Sequence, residues 1–317
     1  MNEVSVECVV PAQALLGECP LWSSRESVLY WIDIDGENIH RFDPWTGQDR
    51  SRDLPGRPGS IALSRQPGRL LMGLEHSIVW FDWSSGEITK WFDLEPARPG
   101  VRLNDGRCDP AGRFWTGRMY VPAGASRFEG MLHVVEADGA FATVRREIGV
   151  TNGLAFAPDG QTMYFADTLC DTVWAYDYDT TTGRATNERA FVDFAGLPGR
   201  PDGACVDESG CYWVACVYGW AVARITPGGD VDRIVELPFE KPTMPAFGGP
   251  DLDMLYVTSI GEGGSYPSTP GQYQPGGLFA FEPGVHGMPE PAFAGCSSVD
   301  IPKQVERSND HEYRVAW

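Results

Sequence analysis

The chain has 317 residues, 42% of them hydrophobic and 12% aromatic, which is ample for one large packed core. Its formal charge of −19 argues against a nucleic-acid backbone or an anionic membrane surface as partner. The opening segment MNEVSVECVVPAQALLGECPLW shows no basic stretch followed by an apolar run, and no segment approaches the ~18 apolar residues that span a bilayer, so a cytoplasmic location is expected.

The 37 Gly and 25 Pro are spread along the whole chain, which indicates many turns and not one linker. The eight Cys are irregularly spaced with no CxxC, and Cys205, Cys211 and Cys216 stand in apolar runs. Buried thiols are expected there, not a disulfide framework or a zinc site.

In chain order, VSVECVV (4–10) reads as a lone strand and is followed by six segments of one plan. Each has a short apolar strand, a Gly-bearing turn, a second strand with a large apolar anchor, and a third strand that often ends in an acidic turn. The anchors are Tyr30, Leu71, Trp115, Tyr164, Trp213 and Tyr256, spaced 41 to 49 residues apart. Turns such as DPAG (109–112), PDG (158–160) and DESG (207–210) precede the second strands and suit tight reversals. Third strands read as VWFDWSSG (79–86), LHVVEADG (132–139), VWAYDYDTTTG (173–183), VARITPGG (222–229) and LFAFEPG (278–284), with period-2 alternation and no 3.6-residue period.

This pattern predicts an all-β, six-bladed β-propeller with four-stranded antiparallel blades, forming a single domain over 1–317. The blades are expected over about 11–295, with 296–317 as a C-terminal tail that matches no blade. The N-terminal strand is expected to complete the last blade and close the ring. The Gly/Pro/Tyr-rich stretch 261–277 is long enough, and at the right level, to act as a lid.

Eleven or twelve residues before each anchor, at the start of the innermost strand, stand Glu18, Gly59, Asn104, Asn152, Asp202 and Met244. These positions ring one mouth of the central channel, and four of them carry oxygen donors. Asn-Gly and Asp-Gly are also turn dipeptides, which accounts for any one of these residues alone. It does not account for Glu18, or for donors at matching places in different blades. One Glu, one Asp and one or two Asn make a hard-oxygen set suited to Ca²⁺, Mg²⁺ or Mn²⁺, with Zn²⁺ or Fe²⁺ also compatible. Such a set leaves coordination positions open for water and substrate. GxSxG and HExxH are absent, and the five His are scattered. His40, His76 and His133 fall in strand-like runs, where packing is the default role.

The motifs GECPLW, RLNDGRCDPAGRFWTGRM, TNGLAFAPDGQTMYFADT with VWAYDYD, and RPDGACVDESGCYWVA resemble the senescence-marker-protein (regucalcin), gluconolactonase and luciferin-regenerating-enzyme-like family in its bacterial sugar-lactonase form. The similarity runs from about Gly17 to Gly295. It implies one divalent metal ion in the channel and a small-molecule sugar lactone as substrate. By the same resemblance Glu18, Asn152 and Asp202 match the metal ligands, Arg102 and Asn104 match the substrate contacts, and Asp105 stands just behind them. Tyr120 and Val121 stand where animal members carry acidic residues near the substrate, so the preferred sugar is expected to differ. Asp202 is expected to serve as both ligand and catalytic base. A phosphotriesterase of the diisopropyl-fluorophosphatase type and a non-catalytic calcium-binding propeller are the competing readings. A monomer or weak homo-oligomer is expected.

Overall fold

The computed structural model describes residues 4–94, 98–122, 127–263, 266–267 and 269–296. Strand β1 (Glu7–Val10) stands apart in sequence from the blade it completes. Blade 1 is β2 (Gly17–Ser23), β3 (Val28–Asp33), β4 (Asn38–Asp43) and β5 (Gln48–Asp53). Blade 2 is β6 (Pro58–Leu63), β7 (Arg69–Leu74), β8 (Ser77–Asp82) and β9 (Ile88–Asp93). Blade 3 is β10 (Val101–Cys108), β11 (Phe114–Tyr120), β12 (Gly130–Val135) and β13 (Phe141–Ile148). Blade 4 is β14 (Thr151–Phe156), β15 (Thr162–Asp167), β16 (Thr172–Asp179) and β17 (Arg184–Asp193). Blade 5 is β18 (Arg200–Val206), β19 (Tyr212–Val217), β20 (Ala221–Ile225) and β21 (Val231–Glu236). Blade 6 is β22 (Pro242–Gly248), β23 (Met254–Ser259), β24 (Leu278–Phe281) and, outermost, β1.

The chain is therefore an all-β six-bladed propeller of four-stranded antiparallel sheets. β1 pairs with β24 (Glu7 with Ala280, Cys8 with Phe279), so the first strand of the chain covers the edge of the last blade. All six anchors lie in second strands and are buried. Each packs across onto the next blade. Tyr30 clusters with Ile61 and Met72, Leu71 with Leu103 and Phe114, and Trp115 with Leu154 and Met163. Tyr164 joins Val214, Trp213 joins Phe247, and Tyr256 closes the ring against Trp22 and Leu29. A large side chain at the same place in each repeat is thus what fills the wedge between neighbouring blades.

After β24 the chain leaves the sheet and crosses the lower face as a strap. The Glu208 amide donates to the His286 carbonyl, the Phe293 amide to Leu63 and the Ala294 amide to Gly112, which ties blades 5, 2 and 3 together. The strap carries Glu290 to the bottom of the channel, where it pairs with Arg107 at 2.7 Å. Arg107 also donates to the Ala204 carbonyl at 2.9 Å. The cavity left around this pair is only about 10 Å³, at the limit of one water. The channel is stoppered below and approached from the mouth where the inner strands begin. Of the tail, only Cys296 falls among the described residues.

Phe293 is fully buried between Trp80 and Trp91, with ring centroids at 5.8 and 5.9 Å. Phe293→Ala is expected to lower unfolding stability by about 3–5 kcal/mol, read as a reduced urea midpoint with unchanged m-value.

Candidate functional site

At the upper mouth, all six inner strands lose register with their neighbours at the same level. The breaks fall at Glu18/Leu21, Pro58/Ser60, Leu103/Gly106, Asn152/Ala155, Pro201/Ala204 and Pro242/Pro245. A bulge releases residues from ladder pairing and re-aims their side chains. Asn104, Asp105 and Asp202 lie inside these breaks, while Glu18 and Asn152 stand at their upper limit.

Two glycines show why Asn152 and Asp202 are followed by Gly. Gly153 follows Asn152 with φ of +65°, and a Cβ there would lie 2.5 Å from the Tyr212 hydroxyl. Gly203 follows Asp202, and its Cβ would lie 2.5 Å from that of Met244. Turn chemistry and close packing thus coexist with the donors at these dipeptides. Cys19, after Glu18, adopts φ of +47°, a strained conformation that lets its amide donate to the Glu18 carboxylate at 3.1 Å.

The structure brings Arg102, Asn104 and Asn152 into one hydrogen-bonded chain. Arg102 Nη1 donates to Asn104 Oδ1 at 2.7 Å and to the Leu103 carbonyl at 2.8 Å. Asn104 Nδ2 donates to Asn152 Oδ1 at 3.1 Å and to the Thr151 carbonyl at 2.9 Å. Asn152 Nδ2 in turn donates to Thr168 Oγ1 at 2.8 Å, and Thr168 donates to the Pro201 carbonyl, next to Asp202. The Asn104 and Asn152 amide oxygens each accept one hydrogen bond in this chain and each keep a second lone pair for another partner. Thr168 escaped the sequence reading, since nothing in its type or spacing distinguishes it from other strand-end threonines.

The acids form the other half. Glu18 and Asp202 retain only 8% and 7% exposure, and Asp105 is buried too. Burial, followed by the charge of Asp105, pushes the Glu18 carboxyl up to about 8. Burial, followed by Glu18 and Asp105, pushes Asp202 well above the ordinary carboxylate range. Asp105 rises to about 6 through burial, opposed by the Leu154 amide that donates to it and by Arg107. Its Oδ1 atom is buried without a hydrogen-bond partner among the described residues. Carboxylates that raise one another in this way are the environment a divalent cation relieves. Among the described residues no three His, Cys, Asp or Glu side chains form a ready-made metal cage. The donors that fit a cation are Glu18, Asp202 and the Asn152 amide oxygen, a hard set.

Tyr120 is placed at the same mouth by its pairing with Val101, with the Arg127 guanidinium 4.3 Å from its ring centroid. It takes no part in the hydrogen-bonded chain around Asn104 among the described residues. His40 pairs with Asp49 at 2.6 Å, and His133 is buried, with its imidazole pushed down to about 3. His76 lies in the turn after β7, not in a strand. A separate cleft of about 320 Å³, lined by Pro158, Tyr164, Phe191 and Ser209, opens at the lower rim between blades 4 and 5 and contains none of these donors.

Residues 16–261 match the family model described as SMP-30/Gluconolactonase/LRE-like region. The chain belongs to this family. One relative is a 6-deoxy-6-sulfogluconolactonase of Pseudomonas putida, 39% identical over 93% of this chain and 100% of that protein. Another is a pentonolactonase of Haloferax volcanii, 35% identical over 90% of this chain and 97% of its own length. Among solved structures, a calcium-binding regucalcin from Agrobacterium tumefaciens superimposes with a TM-score of 0.84 at 28% identity, covering 92% of this chain and 98% of that one. The family thus includes lactonases and calcium-binding members on this propeller.

The raised carboxyls predict a pH dependence of stability for the cation-free protein. A carboxyl raised to about 8 holds its proton in the folded state but loses it near 4.5 when unfolded, so stability falls as pH rises between those values. With chelator present, Tm is expected to drop from pH 5 to pH 8. Added Ca²⁺ or Mn²⁺ is expected to restore it most at the upper end, as checked by calorimetry.

Proposed function

We propose that the chain is a metal-dependent hydrolase that opens a sugar (aldono-) lactone to the aldonic acid. The observation that carries this reading is the burial of Glu18 and Asp202 together at the open mouth of a channel stoppered below, beside the amide of Asn152. The activities named for the Pseudomonas and Haloferax relatives support the substrate class.

Glu18, Asn152 and Asp202 would hold the ion. A bound divalent cation supplies Lewis acidity toward the lactone carbonyl and toward a water. Asp202 accepts the proton of the attacking water on a carboxylate oxygen and delivers it to the ring oxygen as the ester bond breaks. Glu18 contributes the anionic anchor, and the neutral Asn152 amide adds a donor without adding charge. Arg102, held by Asn104 and the Leu103 carbonyl, presents its remaining guanidinium N–H groups to the oxygens of the lactone. Asn104 is the link that fixes both Arg102 and Asn152, so its side chain sets the distance between substrate and ion.

Asp202→Asn is expected to lower kcat by about 10³-fold on pentono- and gluconolactones while the circular dichroism spectrum is retained. Chelation is expected to abolish turnover, and stoichiometric return of one divalent ion to recover it, with elemental analysis fixing the ratio. Full activity in a preparation free of metal would overturn the reading. Faster turnover of paraoxon-like esters than of lactones would assign the site to phosphotriesters instead.

A further inference from the structure

Two loops rise over the Asp202 side of the mouth, one of them within the Gly/Pro/Tyr-rich stretch 261–277. The turn after β19 places Tyr218 and Trp220 at φ of +64° and +57°, on either side of Gly219. A Cβ at Gly219 would lie 2.6 Å from the Pro198 carbonyl oxygen, so the turn is pressed against the preceding loop. Non-glycine residues in the left-handed region are strained, and strain concentrates where function fixes a side chain. The Tyr218 ring is accordingly held out at the surface, 43% exposed.

The second loop joins β23 to β24 and carries Tyr266; its residues 264, 265 and 268 lie outside the described residues. The remainder is tied down at several points. Lys241 Nζ, buried, donates to the Pro267 carbonyl and lies 5.9 Å from the centroid of the Tyr218 ring. The Thr269 hydroxyl donates to the Glu240 carboxylate, and the Glu240 amide to Gln272 Oε1. One lysine thus joins the two loops. The Tyr266 ring packs against the buried cluster that contains Cys19, Val217, Met244 and Ile260, on the side of the mouth where the inner strands offer Met244 and no oxygen donor. Its hydroxyl lies within electrostatic reach of Arg102, Asp202 and Tyr218. No hydrogen bond from this hydroxyl is found among the described residues.

We propose that Tyr266, held over the mouth by Lys241 and backed by Tyr218, is a specificity-determining residue that hydrogen-bonds the hydroxylated part of the substrate opposite Arg102. This rests on the lactonase reading above and adds to it the group that selects polyhydroxylated lactones over bare ones. A half-buried phenol beside an arginine and a carboxylate offers both a donor and an acceptor, which a ring bearing hydroxyls can satisfy and a plain lactone cannot. The apolar wall below it excludes water without competing for those hydroxyls.

The test compares the parent protein with Tyr266→Phe, which removes one oxygen and keeps the ring. The ratio of kcat/KM for a pentono-1,4-lactone to that for γ-butyrolactone is expected to fall about tenfold in the variant, with the loss appearing in KM. Calorimetric binding of sorbitol, a polyol that cannot be hydrolysed, is expected to weaken by a similar factor. A ratio and a sorbitol affinity both within twofold of the parent would overturn the proposal. If the parent opens neither lactone, the lactonase reading fails on its own. The sorbitol measurement then still decides Tyr266, and equal affinity in parent and variant rules it out.

Discussion

The interaction on which the site depends is the mutual repulsion of carboxylates that the fold does not allow to separate. Glu18 and Asp202 come from blades 1 and 5, on inner strands packed around one narrow axis, and both are buried. Neither can retreat. Backbone bulges fix the inner strands at that level, Met244 presses on Gly203 beside Asp202, and the Cys19 amide holds the Glu18 carboxylate. Left alone, such a pair keeps a proton or costs stability. The ring closure by β1 and the strap below matter to the site for this reason, since a propeller free to open would relax the very contact that makes a cation welcome.

The lower channel is arranged in the opposite sense. Arg107 and Glu290 form a closed pair with almost no space around it, so charge there is neutralised within the protein. Above it Asp105 is shared between the two levels. It accepts from the Leu154 amide, feels Arg107 from below, and raises Glu18 and Asp202 from above. The channel is thus graded along its axis, from a closed Arg107–Glu290 pair at the bottom to mutually repelling acids at the open end.

Much of this was legible in the sequence because repetition made it so. Six anchors at near-constant spacing pointed to blades, and stepping back from each anchor reached the same level of six inner strands, which carry Glu18, Asn104, Asn152 and Asp202. What repetition cannot show is what differs between blades. The strap has no counterpart in any repeat, so its path across the lower face, with Phe293 between two tryptophans and Glu290 on Arg107, left no periodic trace. Thr168 is one of many strand-end hydroxyls. The register breaks in the inner strands arise from crowding around the axis, which local propensity does not encode. Tyr218 and Tyr266 lie in loops, whose paths are set by Lys241 far away in the chain.

The division of labour among blades also bears on how members of one family come to differ in substrate. Glu18, Asn152 and Asp202 sit on inner strands, where a change in any one disturbs the packing of the axis. Arg102, too, is fixed by Asn104 and the Leu103 carbonyl. The residues above them are held differently. Tyr120 stands at the end of β11 under Arg127, and Tyr266 rides on a loop tied down by Lys241 and Glu240. Substitutions at those positions alter what the mouth presents without changing the inner-strand acids. On the proposed reading, selectivity resides in the loops above the mouth and the reaction class in the inner strands beneath them.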